Sequence, residues 1–285
     1  MPAVEVAERI DFHQVLEAGQ VLVWPDAPVG LSEEECDLMR NIRQSSRHHK
    51  NISYKPRQDK LCGLDKVPAA TRERVRAILR RYSEAATGFA ASLLPRYRSA
   101  WRTDYASLRT IEEAGRTLPF KKRNDLLHTD AFPTRPTGGG LILRIFYNFH
   151  AWRPRVWVTS DPFEVLAARY AAAAGLARIA ARGCLQNLAR RLRLPFARRP
   201  AYDEFMLTFH DYLKRSTEFQ SNCPKCRLEF PPGSAWMVFT DVVPHAVEAG
   251  QFALEQTLIV PREALASPER APIAILERLA GRSLA

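Results

Sequence analysis

The chain has 285 residues, of which 46% are hydrophobic and 26% are charged, and its formal net charge is +11. These values exclude a disordered chain and indicate a globular protein with an anionic partner. We expect a cytoplasmic protein, because the N-terminus lacks the pattern of a secretory signal and no apolar run reaches the roughly 18 residues of a membrane span.

The first part of the chain, 1–115, is predicted to be a helix-rich supporting layer. The short β-rich run at 20–24 predicts a strand. Ser32 precedes three acidic residues, which is typical of a capped helix start. The region 67–95 has apolar side chains at helical spacing and predicts a long helix. These apolar positions are Val75, Ile78, Leu79, Tyr82 and Ala86.

Short aromatic and branched runs follow, and they predict strands separated by turns. The runs lie at 141–149, 155–159, 234–240 and 252–260. They fall into two halves, 116–161 and 220–265, on either side of an insertion at 162–219. This order predicts a single α+β domain with a double-stranded β-helix core, a jelly roll of the cupin-like type, plus the helical layer and a helical insertion.

The insertion at 162–219 is predicted to be basic and mainly helical. Between Val165 and Pro200 it contains eight arginines and no acidic residue, and Leu185, Leu188 and Leu192 follow helical spacing. One interpretation is contact with an anionic membrane surface. The other is a helix whose apolar face packs on the core while the arginines remain in solvent.

The cysteines do not predict a disulfide framework, because there are five and their spacing is irregular. Cys223 and Cys226 form a CxxC pair, but zinc needs four ligands and we find no second pair at a convincing spacing. We interpret this pair as part of a loop.

A candidate metal site consists of His128, Asp130 and His245. Side chains two residues apart on an extended chain point to the same side, so His128 and Asp130 can bind one ion. A lone HxD is common by chance, and a lone histidine is often structural. Here the HxD precedes a buried strand and His245 lies between two later strands, which favours a 2-His-1-carboxylate iron(II) site.

Such a site leaves positions open for O2 and for a chelating co-substrate. A co-substrate carboxylate needs a cation, and Arg144, Asn148 and Arg155 are the candidates on the neighbouring strands. The alternative is that Arg144 pairs with a buried acid and Arg155 lies at the rim. The remaining histidines are interpreted as ordinary surface or core residues. They are His13, His48, His49, His150 and His210.

Several motifs in series carry a resemblance to a known family. They are EAGQVLVWPDAPVGLSEEE at 17–35, HTDAF at 128–132, LRIFYNFH at 143–150, PRVW at 154–157, DPFE at 161–164, FHDYLK at 209–214, FPPGSAW at 230–236 and VPHAVEAGQFALEQT at 243–257. In these segments, which span most of the chain in the same order, the protein resembles the Kdo hydroxylases. Kdo is 3-deoxy-D-manno-oct-2-ulosonic acid.

The resemblance implies an Fe(II)/2-oxoglutarate-dependent dioxygenase that uses O2, with ascorbate as reductant. Its substrate would be a Kdo-lipid A precursor of lipopolysaccharide, hydroxylated at C3 of Kdo to give D-glycero-D-talo-oct-2-ulosonic acid (Ko). His128, Asp130 and His245 match the family's metal ligands. We expect a cytoplasmic protein that contacts the inner-membrane surface peripherally through its basic insertion, and we expect no nucleic-acid partner because the sequence has no recognised nucleic-acid-binding motif.

One departure concerns the co-substrate. Related oxygenases often carry a basic residue about ten positions after the distal histidine, where this chain has Gln256. The cation is then expected from Arg144, Arg155 or Arg262. Two alternative functions remain: an HxD…H oxygenase acting on another sugar or lipid, and a non-catalytic, basic cupin-like binding protein.

Overall fold

Two facing β-sheets form the centre of the protein in a computed structural model that describes residues 3–5, 11–42, 51–182 and 199–285. The large sheet has the order β1-β2-β9-β6-β11-β5-β3-β4, and the small sheet has the order β10-β7-β8. The strands are β1 (Ala3–Glu5), β2 (Val21–Trp24), β3 (Ile52–Lys55), β4 (Lys60–Cys62), β5 (Arg102–Arg109), β6 (Leu141–Asn148), β7 (Arg155–Thr159), β8 (Cys226–Phe230), β9 (Ala235–Phe239), β10 (His245–Ala249) and β11 (Ala253–Val260).

Helices pack on the large sheet and against one another. They are α1 (Phe12–Glu17), α2 (Glu33–Asn41), α3 (Ala69–Leu93), α4 (Pro95–Arg98), α5 (Phe163–Tyr170), α6 (176–182), α7 (Ala201–Arg215), α8 (Thr217–Asn222) and α9 (Pro272–Ala280). Ser32 caps α2 in the predicted way, and the Tyr82 hydroxyl of α3 donates to the Ile145 carbonyl of β6 at 3.1 Å. The five apolar positions predicted for α3 are all buried.

Strand β6 is buried along its whole length because both of its faces are covered. Leu143 and Ile145 join the large core beneath the helices, whereas Phe146 joins a second cluster between the two sheets. The neighbours β9 and β11 pair with it in antiparallel register. This arrangement confirms the predicted jelly-roll core of an α+β protein and explains the continuous apolar pattern of the strand.

An aromatic cluster joins the two sheets. Phe230 stacks on Trp236 at 4.0 Å between ring centroids, and Phe146 stacks on the same indole at 5.0 Å. Trp157 of β7 meets Phe146 edge-on at 5.0 Å. Because these rings are large and rigid, they set the position of β7 relative to β6.

The first 115 residues contribute more than a helical layer. They supply β1–β5, which pair at both ends of the large sheet. β5 has the sequence RTDYASLR and pairs with β11. Because its sequence mixes polar and apolar residues, this strand does not form the apolar run by which the other strands were predicted.

The insertion is helical in the parts that the structure describes. Leu166, Leu176 and Ile179 are buried in the core, while Arg169 and Arg178 are exposed. The apolar face of α5 and α6 therefore packs on the protein itself. The predicted leucine stripe at 185–192 lies outside the described residues.

No helix in the described ranges is both long and apolar enough to cross a bilayer. Four cysteines are free thiols there, namely Cys36, Cys62, Cys223 and Cys226.

Candidate metal centre

The three predicted metal ligands converge at one point between the sheets. One ligand atom from each of His128, Asp130 and His245 lies within 4.8 Å of the others. The two imidazole Nε2 atoms lie 3.9 and 3.8 Å from the carboxylate oxygens of Asp130. In the described part of the chain, this is the one cluster of histidine, cysteine and acidic side chains with spacing suited to a metal ion.

Backbone hydrogen bonds hold the two ligand segments together. The His128 N–H donates to the His245 carbonyl at 3.2 Å, and the His245 N–H donates back at 2.9 Å. The Asp130 N–H donates to the Thr240 carbonyl at 2.9 Å. His128 thus forms an isolated bridge and not part of a longer strand, and His245 is the first residue of β10 instead of lying between strands.

The ring orientation of each histidine is set by a carbonyl. His128 Nδ1 lies 2.7 Å from the Leu126 oxygen and His245 Nδ1 lies 3.0 Å from the Val243 oxygen. Because a carbonyl only accepts, each Nδ1 carries the proton and each Nε2 presents its lone pair to the centre. Trp157 stacks on the His245 ring at 4.9 Å.

The charge state of the ligands also suits a metal. Burial alone would raise the pKa of Asp130, but Arg144 and the two histidines hold it well below its usual range. Burial lowers the pKa of both His128 and His245. The buried Asp130 Oδ2 has no hydrogen-bond partner in the structure. Two neutral imidazoles and one carboxylate fit a ferrous ion of the facial-triad type.

A cavity of about 450 Å³ opens beside the triad and is strongly basic. Its two carboxylates are Asp130 and Glu255. Its lysines and arginines are Arg109, Lys121, Arg135, Arg144, Arg155 and Lys214. An anionic ligand therefore suits this cavity.

Two of these arginines are paired with the carboxylates of the cavity itself. Arg144 Nη1 lies 3.1 Å from Glu255 and its Nη2 lies 3.3 Å from Asp130, while Arg109 also pairs with Glu255. Burial would raise the pKa of Glu255, but Arg109 and Arg144 lower it to about 2. Of the two interpretations of Arg144, pairing with a buried acid is the one seen in the structure.

Arg155 differs, because no carboxylate of the described residues lies within ion-pair distance of it. It is 1% exposed, its Nη1 donates to the Gly250 carbonyl at 3.1 Å, and its Nε has no partner. Burial, followed by repulsion from Arg109, lowers its pKa to about 10. Gly250 permits this position, since a Cβ there would lie 2.6 Å from Arg155 Cγ. Arg155 is therefore a cavity arginine whose charge no described carboxylate neutralises.

The structure places the other candidates outside the cavity. Asn148 donates to the Phe230 and Arg153 carbonyls and accepts from the His150 N–H, so it organises the loop at the end of β6. Arg262 pairs with Glu277 at 3.2 Å. Gln256 donates to the Asp104 carbonyl at 3.2 Å on the opposite face of β11, because alternate residues of a strand face opposite ways.

Sequence reasoning missed three residues of the cavity wall: Arg109, His210 and Lys214. The His210 ring packs edge-on against the His128 ring at 4.7 Å, so this histidine belongs to the cavity wall beside a metal ligand. The available signal was the spacing of His210 and Lys214, which puts both on one face of α7.

Comparison with known proteins agrees with the resemblance found in the sequence motifs. Residues 3–283 match the family described as 3-deoxy-D-manno-oct-2-ulosonic acid (Kdo) hydroxylase. No curated protein sequence matches significantly.

Among solved structures, the chain is similar to the Kdo hydroxylase KdoO, a non-heme Fe(II) α-ketoglutarate (2-oxoglutarate) dependent dioxygenase. The complex of that protein with α-ketoglutarate and Fe(III) matches at 32% identity and a TM-score of 0.85, covering 100% of this chain and 98% of that one. Its cobalt(II) complex matches at 33% identity and a TM-score of 0.84, with coverage of 99% and 93%.

Replacing Asp130 with alanine removes the one anionic ligand of the triad. We expect metal affinity to fall at least about 100-fold, since loss even of an outer partner costs 10- to 100-fold. The measurement is anaerobic titration of the metal-free protein with Fe(II) or Co(II). Asp125→Ala, which removes a nearby carboxylate paired with Arg123, is the control and should bind metal like the wild type. Wild-type affinity in Asp130→Ala would contradict the assignment.

Proposed function

Because the chain belongs to the Kdo hydroxylase family, we propose that it adds a hydroxyl group to C3 of Kdo in a Kdo-lipid A precursor, giving Ko. It is an Fe(II)/2-oxoglutarate-dependent dioxygenase that acts on a Kdo-containing substrate. The observation that carries the proposal is the triad of His128, Asp130 and His245 in a basic cavity.

Each side chain of the centre has a task in this reaction. The triad holds iron, which together with 2-oxoglutarate and O2 supplies the oxidising chemistry; ascorbate is the proposed reductant that keeps iron ferrous. Arg155 receives the far carboxylate of 2-oxoglutarate through its planar guanidinium. Trp157 stacks on the His245 ring and thereby helps to keep its orientation. The walls of the cavity position the sugar and exclude water.

The charge of the cavity supports an acidic sugar as substrate. Kdo is a carboxylic acid, and lipid A precursors also carry phosphates. The cavity wall presents arginines and lysines in excess over carboxylates. An acidic substrate is therefore attracted to the metal centre, whereas a neutral substrate lacks this electrostatic attraction.

The test of this function is mass spectrometry of a Kdo-lipid A precursor incubated with the protein, Fe(II), 2-oxoglutarate and ascorbate. We expect a gain of one oxygen on Kdo, with one succinate released for each hydroxylated product. Asp130→Ala provides the inactive control. Succinate release with a different sugar or lipid, and none with the Kdo substrate, would support the alternative oxygenase. The absence of any 2-oxoglutarate turnover would favour the non-catalytic binding protein.

Replacing Arg155 with leucine tests the co-substrate contact. Loss of a charge-assisted hydrogen bond of about 1.5–3 kcal/mol predicts a rise of about 10- to 100-fold in the KM for 2-oxoglutarate. The KM of Arg155→Lys should lie between those of the wild type and Arg155→Leu, because lysine keeps the positive charge but lacks the two-pronged guanidinium. Arg153→Leu is the matched control, since its side chain is 62% exposed. An unchanged KM in Arg155→Leu would assign the carboxylate to another cation.

We further propose that the protein is cytoplasmic, binds no nucleic acid and touches the anionic inner-membrane surface peripherally. The exposed Arg169, Arg178 and Arg182 on the insertion support such a contact. Co-sedimentation with anionic vesicles should be strong at low salt and weak at high salt, and neutral vesicles are the control. Failure to bind anionic vesicles at low salt would remove the membrane contact.

A further inference from the structure

We propose that Lys214 binds the carboxylate of the sugar substrate and thereby positions the sugar beside the metal centre, an inference that rests on the proposed function. Lys214 lies in the last turn of α7 and lines the cavity of the triad. It is only 4% exposed. Yet no carboxylate of the described residues lies within ion-pair distance of its ammonium group.

The contacts of Lys214 hold its position without neutralising it. Its Nζ lies 3.4 Å from His210 Nε2 and 3.5 Å from the Lys121 carbonyl oxygen. His210 Nδ1 lies 2.8 Å from the Thr129 carbonyl and therefore carries the proton, which leaves Nε2 as a neutral acceptor.

A buried cation without an anion is unfavourable unless a ligand provides the opposite charge. Burial correspondingly lowers the pKa of Lys214. A purely structural role would be filled better by an apolar side chain of similar size. The arrangement therefore points to an anion that arrives with the substrate.

The location suits an anionic ligand bound beside the metal centre. Lys214 is separated from the metal ligand His128 by a single imidazole, that of His210. Lys121, which is exposed, adds a second positive charge where the cavity meets solvent. The wall of the cavity thus carries the positive charges of Lys121 and Lys214 in addition to the triad.

The other cations of the cavity are engaged elsewhere. Arg109 and Arg144 share Glu255. Arg135 pairs with Asp104 and lies between the rings of Tyr105 and Phe132, at 4.0 and 4.2 Å from their centroids.

Arg155 is assigned to 2-oxoglutarate in the proposed function. Among the described residues of the cavity wall, the lysines and arginines left to bind a second carboxylate are then Lys121 and Lys214. Lys214 is the better ordered of the two because it is buried and in contact with His210.

The experiment compares an anionic and a neutral form of one ligand: the methyl glycoside of Kdo, and the same glycoside with its carboxylate converted to the methyl ester. Binding is measured by calorimetry on protein loaded with Co(II) and 2-oxoglutarate. We expect Lys214→Met to weaken binding of the acid by about 10- to 100-fold and to leave the ester unchanged. Lys214→Arg should retain most of the preference for the acid.

Arg215→Met is the matched control, because it removes one charge from the next residue of α7. Arg215 is exposed and lies over the Phe120 ring at 5.1 Å, outside the cavity wall. It should bind both ligands like the wild type. Lys214→Gln repeats the test should the methionine variant fail to fold.

Three outcomes would overturn the inference: equal acid binding by wild type and Lys214→Met, equal weakening of acid and ester, or weaker binding of 2-oxoglutarate with no change for the sugar. In each of these cases, hydroxylation of Kdo by the wild-type protein would leave the proposed function intact. A wild type that neither binds the glycosides nor oxidises the Kdo-lipid A precursor refutes the function, and the inference with it.

Discussion

The pair of backbone hydrogen bonds between His128 and His245 is the constraint on which the rest of the site depends. It joins two segments that are far apart in the chain and places their imidazoles on one side. The carbonyls that orient the two rings, of Leu126 and Val243, belong to the same segments. Ligand position and ring orientation therefore come from the backbone geometry of the two segments.

A second constraint is the buried carboxylate of Glu255, which faces the cavity from β11. It lies between Arg109 and Arg144 and neutralises part of their charge. Without it, several arginines would repel one another in a space with little water. Its presence divides the cations of the cavity into two groups: those engaged with protein acids, and those such as Arg155 that are left for ligands.

The features that could be predicted were those with a local signal. The helix α3 and the strand β6 have regular apolar patterns, and HxD is a compact motif. The strand β5 was missed because its side chains are polar, and β10 because it is short and begins at a metal ligand. Pairing between such strands depends on long-range contacts that composition does not reveal.

The co-substrate contacts show the same limit at the level of single residues. Arg155 was among the candidates, but Asn148 lies at the end of β6 and contacts a loop. Glu255 and Gln256 are neighbours in sequence but face opposite sides of β11. A shift of one position in the expected site of the cation therefore decides whether a side chain faces the cavity or the opposite side of the sheet. The spacing of His210 and Lys214 indicates a shared face of α7, but the packing of His210 against His128 could not be predicted because it depends on where α7 lies in the fold.

The placement of α7 has a consequence for substrate selectivity. The metal ligands belong to the jelly-roll halves, whereas His210 and Lys214 come from the insertion between them. Reaction chemistry and part of the pocket wall are thus encoded in separable stretches of chain. Substitutions in α7 therefore change the shape and charge met by a substrate while leaving the iron ligands intact.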